Sequence, residues 1–293
     1  MRLAEQWSAI ALISVLLVTC GAVAQAQEAP SESQKAEQAF AEKLRALDWI
    51  KGPTTVTAQG NAKLTIPDQY VYLDARNTAK FLELQHNLSN GREVMVAPRT
   101  LQWQAYLEFA DAGYVKDSEK IDAPALLGTL KENTEKANAE RERRGWGTLH
   151  LVDWATPPVY NTTTKRLEWA TILESQEGRG VNFFTKILGR RGYTSVTMVT
   201  DPANLSDAEA KLDTVLTGYT FNSGETYADW RSGDKVAEYG LAALIVGGVA
   251  AVAAKKGLFS VLAGFLAVAW KFVVAAVVAG MAWLRRLFAK KQA

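Results

Sequence analysis

Few residues of this sequence have the type and spacing that catalysis requires. The 293-residue chain contains two histidines, His86 and His150, and a single cysteine, Cys20. His150 lies in a predicted strand with no partner visible, which favours an exposed or hydrogen-bonded strand histidine over a general base. His86 ends a predicted helix, where the helix dipole favours a cation. Ser195 occurs in none of the motifs that mark an activated hydroxyl, so we assign no catalytic residue and favour a protein that is not an enzyme.

A cluster of four acidic residues has the composition of a cation site. Gly113-Tyr114 interrupts this cluster, which also lacks the alternating carboxylates and closing glutamate of a calcium loop. A solvated loop is therefore the favoured interpretation of Glu108, Asp111, Asp117 and Glu119. One cysteine and two histidines give too few ligands for a thiolate or imidazole metal site. The sequence has no glycine-rich phosphate loop either, so we predict neither a metal nor a cofactor.

Two pairs of arginines are candidate contacts for an anion or a phospholipid headgroup. Arg143 and Arg144 close a long predicted helix, whereas Arg190 and Arg191 occupy a predicted turn. Arginine forks match phosphate geometry, which supports this interpretation. The alternative, which we favour, is helix C-terminal charge at the first pair and a solvated hairpin at the second.

An aromatic and proline-rich stretch is the candidate for a binding groove. Its members are Trp146, Trp154, Pro157, Pro158 and Tyr160. Such rings line ligand clefts, but tryptophan also buries large apolar surfaces in protein cores. Core packing is therefore the favoured role of the tryptophans, with Pro157-Pro158 at the rim of a cleft.

Short alternating segments and glycine turns predict an α+β fold in which an antiparallel sheet is flanked by helices. Strands are predicted at 54–58, 62–67, 70–73, 93–97, 102–109, 148–154, 166–174, 180–188, 193–200 and 218–222, with a break at Pro157-Pro158. Helices are predicted at 34–47, at 75–87 with Asp74 as N-cap, at 122–144 and at 203–216. Neighbouring strands joined by short turns, such as Gly189–Gly192, favour antiparallel pairing.

The first 26 residues predict a secretory signal peptide. A basic start at Arg2 precedes an apolar run that begins at Trp7 and leads to the small-residue pattern Ala24-Gln25-Ala26. The alternative is lipidation at Cys20, but cleavage near Ala26 is favoured because Thr19 is a poor residue before a lipidated cysteine. Residues 27–49 then form a linker and an N-terminal helix, and residues 50–232 form a periplasmic α+β domain.

Residues 233–293 predict a helical membrane anchor with hydrophobic segments at 239–254 and 257–284. Lys271 interrupts the second segment, and an unpaired charge in lipid is costly. A hairpin that turns at Lys255-Lys256 would bring Lys271 near Glu238, so we predict an ion pair between them. Such a hairpin leaves the basic C-terminal end outside, against the positive-inside rule, so one span with a surface-bound tail remains an alternative.

Five stretches resemble the signatures of a bacterial family known as domain-of-unknown-function family 2167. They are residues 64–74, 113–117, 143–160, 188–192 and 233–241, of which the third is the most specific. The resemblance extends over residues 50–290, and it implies a membrane-anchored protein with no activity to carry over. A looser resemblance of the segment ending in Gly218-Tyr219-Thr220-Phe221 is to the photosystem oxygen-evolving P-like sandwich, and a shared fold would not imply a shared function.

These features predict a bacterial inner-membrane protein with its main domain in the periplasm. The net charge of +2 combines an acidic middle with a basic, apolar C-terminal end, which favours membrane lipid as a partner and argues against nucleic acid. The favoured function is a non-catalytic module that binds another envelope protein or scaffolds the membrane. The alternative is an envelope hydrolase that acts on peptidoglycan, peptide or lipid. A polar cluster with a perturbed acid or base would favour the hydrolase, and an exposed apolar patch would favour the module.

Overall fold

The computed structural model describes residues 31–59, 62–85, 89–143, 145, 147–176 and 178–247. Its strands are β1 (Ile50–Lys51), β2 (Thr54–Ala58), β3 (Ala62–Ile66), β4 (Tyr70–Leu73), β5 (Val94–Pro98), β6 (Gln104–Ala110), β7 (His150–Asn161), β8 (Arg166–Ser175), β9 (Gly178–Leu188), β10 (Tyr193–Thr200) and β11 (Tyr219–Phe221). Its α-helices are α1 (Glu32–Arg45), α2 (Ala75–Leu84), α3 (Ala123–Arg143), α4 (Leu205–Leu216) and α5 (Leu241–Val246).

The strands form two antiparallel sheets. The large sheet has eight strands in the order β1-β4-β5-β6-β10-β9-β8-β7, and the small one has the order β11-β3-β2. Each pairing within both sheets is antiparallel. The predicted α+β class and antiparallel pairing are therefore confirmed.

One face of the large sheet is covered by the small sheet and α4. Leu64 of β3 and Leu212 of α4 are buried against Val196 and Met198, which lie on the same face of β10. Because apolar side chains at alternate positions of β10 point to this face, burial on it fixes which side chains must occupy the other face.

Two separate helical layers cover the opposite face. At the β7–β9 end, Leu130 of α3 and Leu244 of α5 belong to one buried cluster with Trp169 of β8. At the β4–β6 end, Phe81 of α2 belongs to another buried cluster with Met95 of β5. Between these two clusters, the central strands β6, β10 and β9 carry a row of three polar residues, which are Glu108, Ser195 and Lys186.

The segment that follows β11 packs into the folded domain. After β11 the chain runs through a 3₁₀ turn at Tyr227–Asp229 and reaches α5, which ends at Gly247 with φ of 109°. Leu241, Leu244 and Ile245 of α5 are buried. None of the helices in the described residues is long and apolar enough to cross a membrane. Lys271, the segment 257–284 and residues 248–254 lie outside the described residues. Residues 239–247, the first part of the predicted hydrophobic segment 239–254, belong instead to the folded domain, where Leu241, Leu244 and Ile245 join a buried cluster.

The predicted strand break at Pro157-Pro158 is wrong. β7 continues through both prolines to Asn161. It lies at the edge of the large sheet, and its register against β8 shifts between Trp154 and Val159. An edge strand with irregular pairing tolerates proline because the missing N–H is not needed for the ladder.

Most other predicted elements are confirmed to within a few residues. The Asp74 cap is confirmed, since its carboxylate accepts a 2.8 Å hydrogen bond from the backbone N–H of Asn77. The helix predicted at 203–216 begins instead as a 3₁₀ turn at Pro202–Asn204, and α4 starts at Leu205.

Substitution of Gly192 tests the packing of the hairpin turn between β9 and β10, and substitution of Gly128 in α3 is the control. A Cβ added at Gly192 would lie 1.9 Å from the carbonyl oxygen of Ala110, whereas one at Gly128 in α3 would meet no atom within 4 Å. We expect Gly192→Ala to lower the free energy of unfolding by about 1–3 kcal/mol or more. Gly128→Ala should raise it by about 1 kcal/mol, the difference in helix propensity. Urea denaturation followed by tryptophan fluorescence measures both, and equal midpoints for the two variants would contradict the packing described.

Candidate functional site

Three of the stretches singled out in the sequence meet at one corner of the large sheet. The backbone N–H of Gly113 donates to Arg191 at 2.8 Å, and that of Tyr114 donates to Lys235 at 2.8 Å. The N–H of Ala237 donates back to the carbonyl of Tyr114 at 2.9 Å. The loop after β6 and the turn between β9 and β10 are thus joined to residues 222–240, which we call the strap.

Arg190 clamps the strap to the turn. Its guanidinium forms two hydrogen bonds of 2.7 Å with the carboxylate of Asp234, and a third of 3.1 Å with the carbonyl of Gly224. Hydrogen bonds from Arg190 and from the backbone N–H of Arg231 lower the pKa of Asp234 to about 2. The paired fork is the strongest geometry for such an ion pair. Arg190 is therefore committed to a carboxylate of its own chain.

Arg191 and Arg143 are the other candidate anion contacts that the structure describes. Arg191 is bonded to Glu225, with 2.7 Å between Nε and the carboxylate oxygen. Arg143 is an exposed residue at the end of α3, and Arg144 lies outside the described residues. Contact of Arg143, Arg144, Arg190 and Arg191 with an anion or a headgroup stays a prediction.

Aromatic side chains of the strap pack against Tyr114. The rings of Tyr114 and Tyr227 are stacked with centroids 4.5 Å apart, and the ring of Trp230 lies 5.3 Å from that of Tyr114. Trp230 is 41% exposed and Val236, which is bridged to Tyr114, is 37% exposed. We call Tyr114, Tyr227, Trp230 and Val236 the aromatic corner. Tyr227 is buried and Tyr114 is half-buried, so the apolar surface that this corner exposes to solvent is that of Trp230 and Val236.

A closed polar network borders the aromatic corner. The carboxylate of Asp117 accepts hydrogen bonds from the hydroxyl of Tyr160 at 2.8 Å and from Nζ of Lys165 at 2.9 Å. Burial opposes ionisation of Asp117, but the bonds from Lys165 and Tyr160 outweigh it and hold its pKa below the ordinary value. Burial, together with hydrogen bonding to Asp117, raises the pKa of Tyr160. Both groups keep their usual charges at neutral pH.

The predicted groove residues have different surroundings. Trp154 packs against the cluster under α3 and α5, and Tyr160 belongs to the network just described. Pro157 is exposed, Pro158 is half-buried, and Trp146 lies outside the described residues. The four described residues therefore lie along the edge strand β7. The groove stays a prediction.

His150 and the acidic cluster have ordinary structural partners. Nδ1 of His150 lies 2.9 Å from Glu135 of α3, and both side chains are exposed, which confirms the hydrogen-bonded strand histidine. Glu108 pairs with Arg92, whereas Glu119 accepts a 2.9 Å hydrogen bond from the backbone N–H of Ala242. The carboxylates of the cluster thus point to separate partners.

One pair of reactive groups, Lys186 and Ser195, was not predicted from the sequence. These residues lie opposite each other on β9 and β10, and Nζ of Lys186 is 2.5 Å from the hydroxyl oxygen of Ser195. Burial lowers the pKa of Lys186 to about 8, against a smaller opposing effect of Glu108. The signal was present in the sequence, because a hairpin turning at Gly189–Gly192 with Leu188 opposite Tyr193 brings these two positions together.

The backbone around this pair is fully used by the sheet. Ser195 is paired with Lys186 on one side and with Glu108 of β6 on the other. In an antiparallel ladder the N–H and C=O groups of such residues bond to one neighbour or the other. No backbone N–H of β10 is therefore left to stabilise an oxyanion beside the Ser195 hydroxyl.

Comparisons with known proteins identify one family, and distant solved structures that include PsbP and Mog1p. Residues 50–279 match the model of a family described as "Protein of unknown function (DUF2167)". The solution structure of cyanobacterial PsbP (CyanoP) from Synechocystis is 7% identical, with 58% of this chain and 92% of that chain covered and a TM-score of 0.35. The Saccharomyces cerevisiae Ran-binding protein Mog1p is 11% identical, with 58% and 96% covered and a TM-score of 0.28. No curated protein matches, and TM-scores this low carry no argument about the chain.

Removing the clamp should loosen the strap while the sheet stays folded. In Asp234→Ala we expect faster amide hydrogen exchange at Tyr114 and Ala237, because their bonds to the strap depend on its position. Asp207→Ala, which removes an exposed pair with Lys211, is the matched control. Since the pKa of Asp234 is lowered from 3.8 to about 2, protection should be full above about pH 4 and be lost as the pH falls towards 2. Unchanged exchange in Asp234→Ala would show that the clamp does not hold the strap.

Proposed function

We infer, from the premise that this chain belongs to the family of proteins of unknown function DUF2167, that it is a non-catalytic binding or scaffolding module of the cell envelope. This proposal rests on the contrast between the polar groups at the strap, which are bonded within the chain, and the apolar groups there, which are exposed. Arg190, Asp234, Asp117 and Lys165 are bound to partners within the chain. Trp230 and Val236 of the aromatic corner expose apolar surface to solvent, and exposed apolar surface is what a binding module offers to a partner.

The proposed location is a bacterial inner membrane, with the folded domain in the periplasm. Support comes from the sequence, in which a signal-peptide pattern precedes the domain and a basic, apolar stretch follows it. The strap leads directly into α5. In the sequence, Gly247 is followed by the rest of the predicted hydrophobic segments 239–254 and 257–284. At most about 26 Å of chain separates Val236 from the end of α5, given about 3.5 Å per extended residue and 1.5 Å per helical one. The aromatic corner would then stay close to the membrane surface.

The proposed partners are membrane lipid and another envelope protein. Tryptophan and tyrosine favour the boundary between membrane and water because their rings are apolar and their tips are polar. Lys116 and Arg231, which follow the aromatic corner residues in the chain, are exposed basic residues that anionic headgroups would attract. A protein partner would use the same rings, since aromatic side chains are enriched in interfaces.

Photo-crosslinking in living cells tests this function. A benzophenone amino acid is placed at Val236, and at Ile50 of β1 as a control of 38% exposure at the opposite edge of the large sheet from β7. We expect the protein in the membrane fraction, with crosslinks from position 236 to lipid or to one envelope protein, and few from position 50. Trp230→Ala should reduce the yield from position 236 several-fold. Recovery in the soluble fraction, or equal crosslinking from both positions, would contradict the proposal.

An envelope hydrolase acting on peptidoglycan, peptide or lipid is the second candidate. The pair of Lys186 and Ser195 favours it, because a neutral lysine can serve as the base that activates a serine. Against it stands the sheet ladder, which leaves no backbone donor for the oxyanion of an acyl intermediate.

A fluorophosphonate probe distinguishes the two candidates. We expect no labelling of Ser195 at neutral pH, because covalent capture by the probe also needs a stabilised oxyanion. The matched control is Ser195→Ala, which should give the same background as the unsubstituted protein. Stoichiometric labelling that disappears in Ser195→Ala would establish the hydrolase and overturn the non-catalytic module.

A further inference from the structure

Lys186 places an amine against the middle of the large sheet without a carboxylate partner. In the part of the chain that the structure describes, its Nζ has the hydroxyl of Ser195 as hydrogen-bond partner and no ion pair. The nearest acid along the row is Glu108, opposite Ser195, and Glu108 is bonded to Arg92 and to the amide of Asn90. A buried ammonium without a counter-ion is unfavourable, so the environment shifts the protonation equilibrium of Lys186 towards the neutral amine.

Two aromatic rings flank this amine. Nζ lies 5.6 Å from the ring centre of Trp169 on β8 and 5.7 Å from that of Tyr193 on β10. Both Lys186 and Ser195 are half-buried, so the pair keeps an opening to solvent. The hydroxyl, the amine and the two rings thus form a small site with apolar walls and one nucleophile.

The ionisable groups around the amine agree with this description. Burial lowers the pKa of Lys186 to about 8, and the carboxylate of Glu108 acts in the opposite direction. Burial raises the pKa of Tyr193 and of Tyr239, which is hydrogen-bonded to it, so both phenols are neutral. Arg92 neutralises Glu108 at the far end of the row. About a tenth of the lysine is then uncharged at pH 7, against less than a thousandth for an ordinary lysine.

We propose that Lys186 is a covalent attachment site for an aldehyde or ketone, which condenses with its amine while the hydroxyl of Ser195 relays the proton. The aromatic walls favour a carbonyl compound with an aromatic or unsaturated body. This site is independent of the aromatic corner and of membrane attachment.

The chemistry balances without a further reactant. The lone pair of Nζ forms a bond to the carbonyl carbon, and the electrons of the C=O double bond move to oxygen. Ser195 takes a proton from the nitrogen and delivers one to that oxygen, which gives a neutral carbinolamine. Loss of water then leaves an imine on Lys186, so that one amine and one carbonyl compound become one imine and one water. A desolvated lysine is the usual residue for this reaction.

The same sheet that disfavours acyl transfer permits this reaction. An acyl intermediate needs fixed donors for a persistent oxyanion, and the ladder around Ser195 supplies none. In imine formation the oxygen is protonated by the adjacent hydroxyl and leaves as water. The amine is therefore the nucleophile of this pair, and the hydroxyl is its positioned proton carrier.

Reductive trapping tests the proposal. The purified full-length chain is treated with benzaldehyde and sodium cyanoborohydride at pH 7, and benzylation of each lysine is measured by peptide mass spectrometry. We expect Lys186 to react at least about tenfold faster than Lys211, an exposed lysine that is paired with Asp207. The rate at Lys186 should rise with pH and level off above about 8.

Three variants decide the roles of the two residues. Lys186→Arg should remove the adduct from this site, and Ser195→Ala should slow its formation several-fold with an unchanged melting temperature. Thr197→Ala, a half-buried hydroxyl on the same face and strand, is the matched control and should react like the unsubstituted protein. If Ser195→Ala unfolds, Ser195→Thr should retain the rate. The proposal is overturned if Lys186 reacts no faster than Lys211, or if Ser195→Ala and Thr197→Ala have the same rate.

Discussion

The pairing of β9 with β10 is the constraint on which the rest of this structure depends. The register that places Leu188 opposite Tyr193 continues without a shift to Thr200. Because side chains alternate, it directs Val196 and Met198 towards the small sheet and α4, and Ser195 towards the other face. A slip by one residue would exchange these sets and bury a hydroxyl in the larger apolar cluster, so the core itself enforces the register.

The strap depends on the turn of the same hairpin. Arg190 lies in that turn, and its paired hydrogen bonds to Asp234 fix the strap before the chain enters α5. Gly113 completes the junction, since it adopts φ of 90° and a Cβ there would lie 2.8 Å from the carbonyl oxygen of Lys235. An exposed surface that includes Trp230 is thereby held by polar contacts behind it. Such preorganisation lowers the entropy that a partner must overcome on binding.

Alternating patterns and turn residues were enough to predict most of the strands, but not the arrangement of polar groups. The β2–β3 hairpin, β4 and the Asp74 cap follow from local signals, and each of them formed as predicted. Pro157-Pro158 misled the prediction because whether proline breaks a strand depends on its place in the sheet, which only the strand order reveals. Arg190 and Asp234 are 44 residues apart, so no local pattern indicates their pairing. Lys186 and Ser195 are different, since the predicted turn already implied their register.

The saturation of backbone hydrogen bonds ties the fold to the chemistry it permits. Central strands such as β10 give up their N–H groups to neighbours on both sides, which makes the sheet rigid and removes the donors that stabilise oxyanions. Only side-chain groups remain reactive there, and their reactivity is set by burial. An amine between two rings gains nucleophilicity by losing its charge, whereas a hydroxyl in the same place gains little without an oxyanion site. The proposed binding surface and the proposed reactive amine therefore depend on the same architecture. The first lies at the strap, where the backbone leaves the sheet, and the second lies at the sheet centre, where the backbone is fully paired.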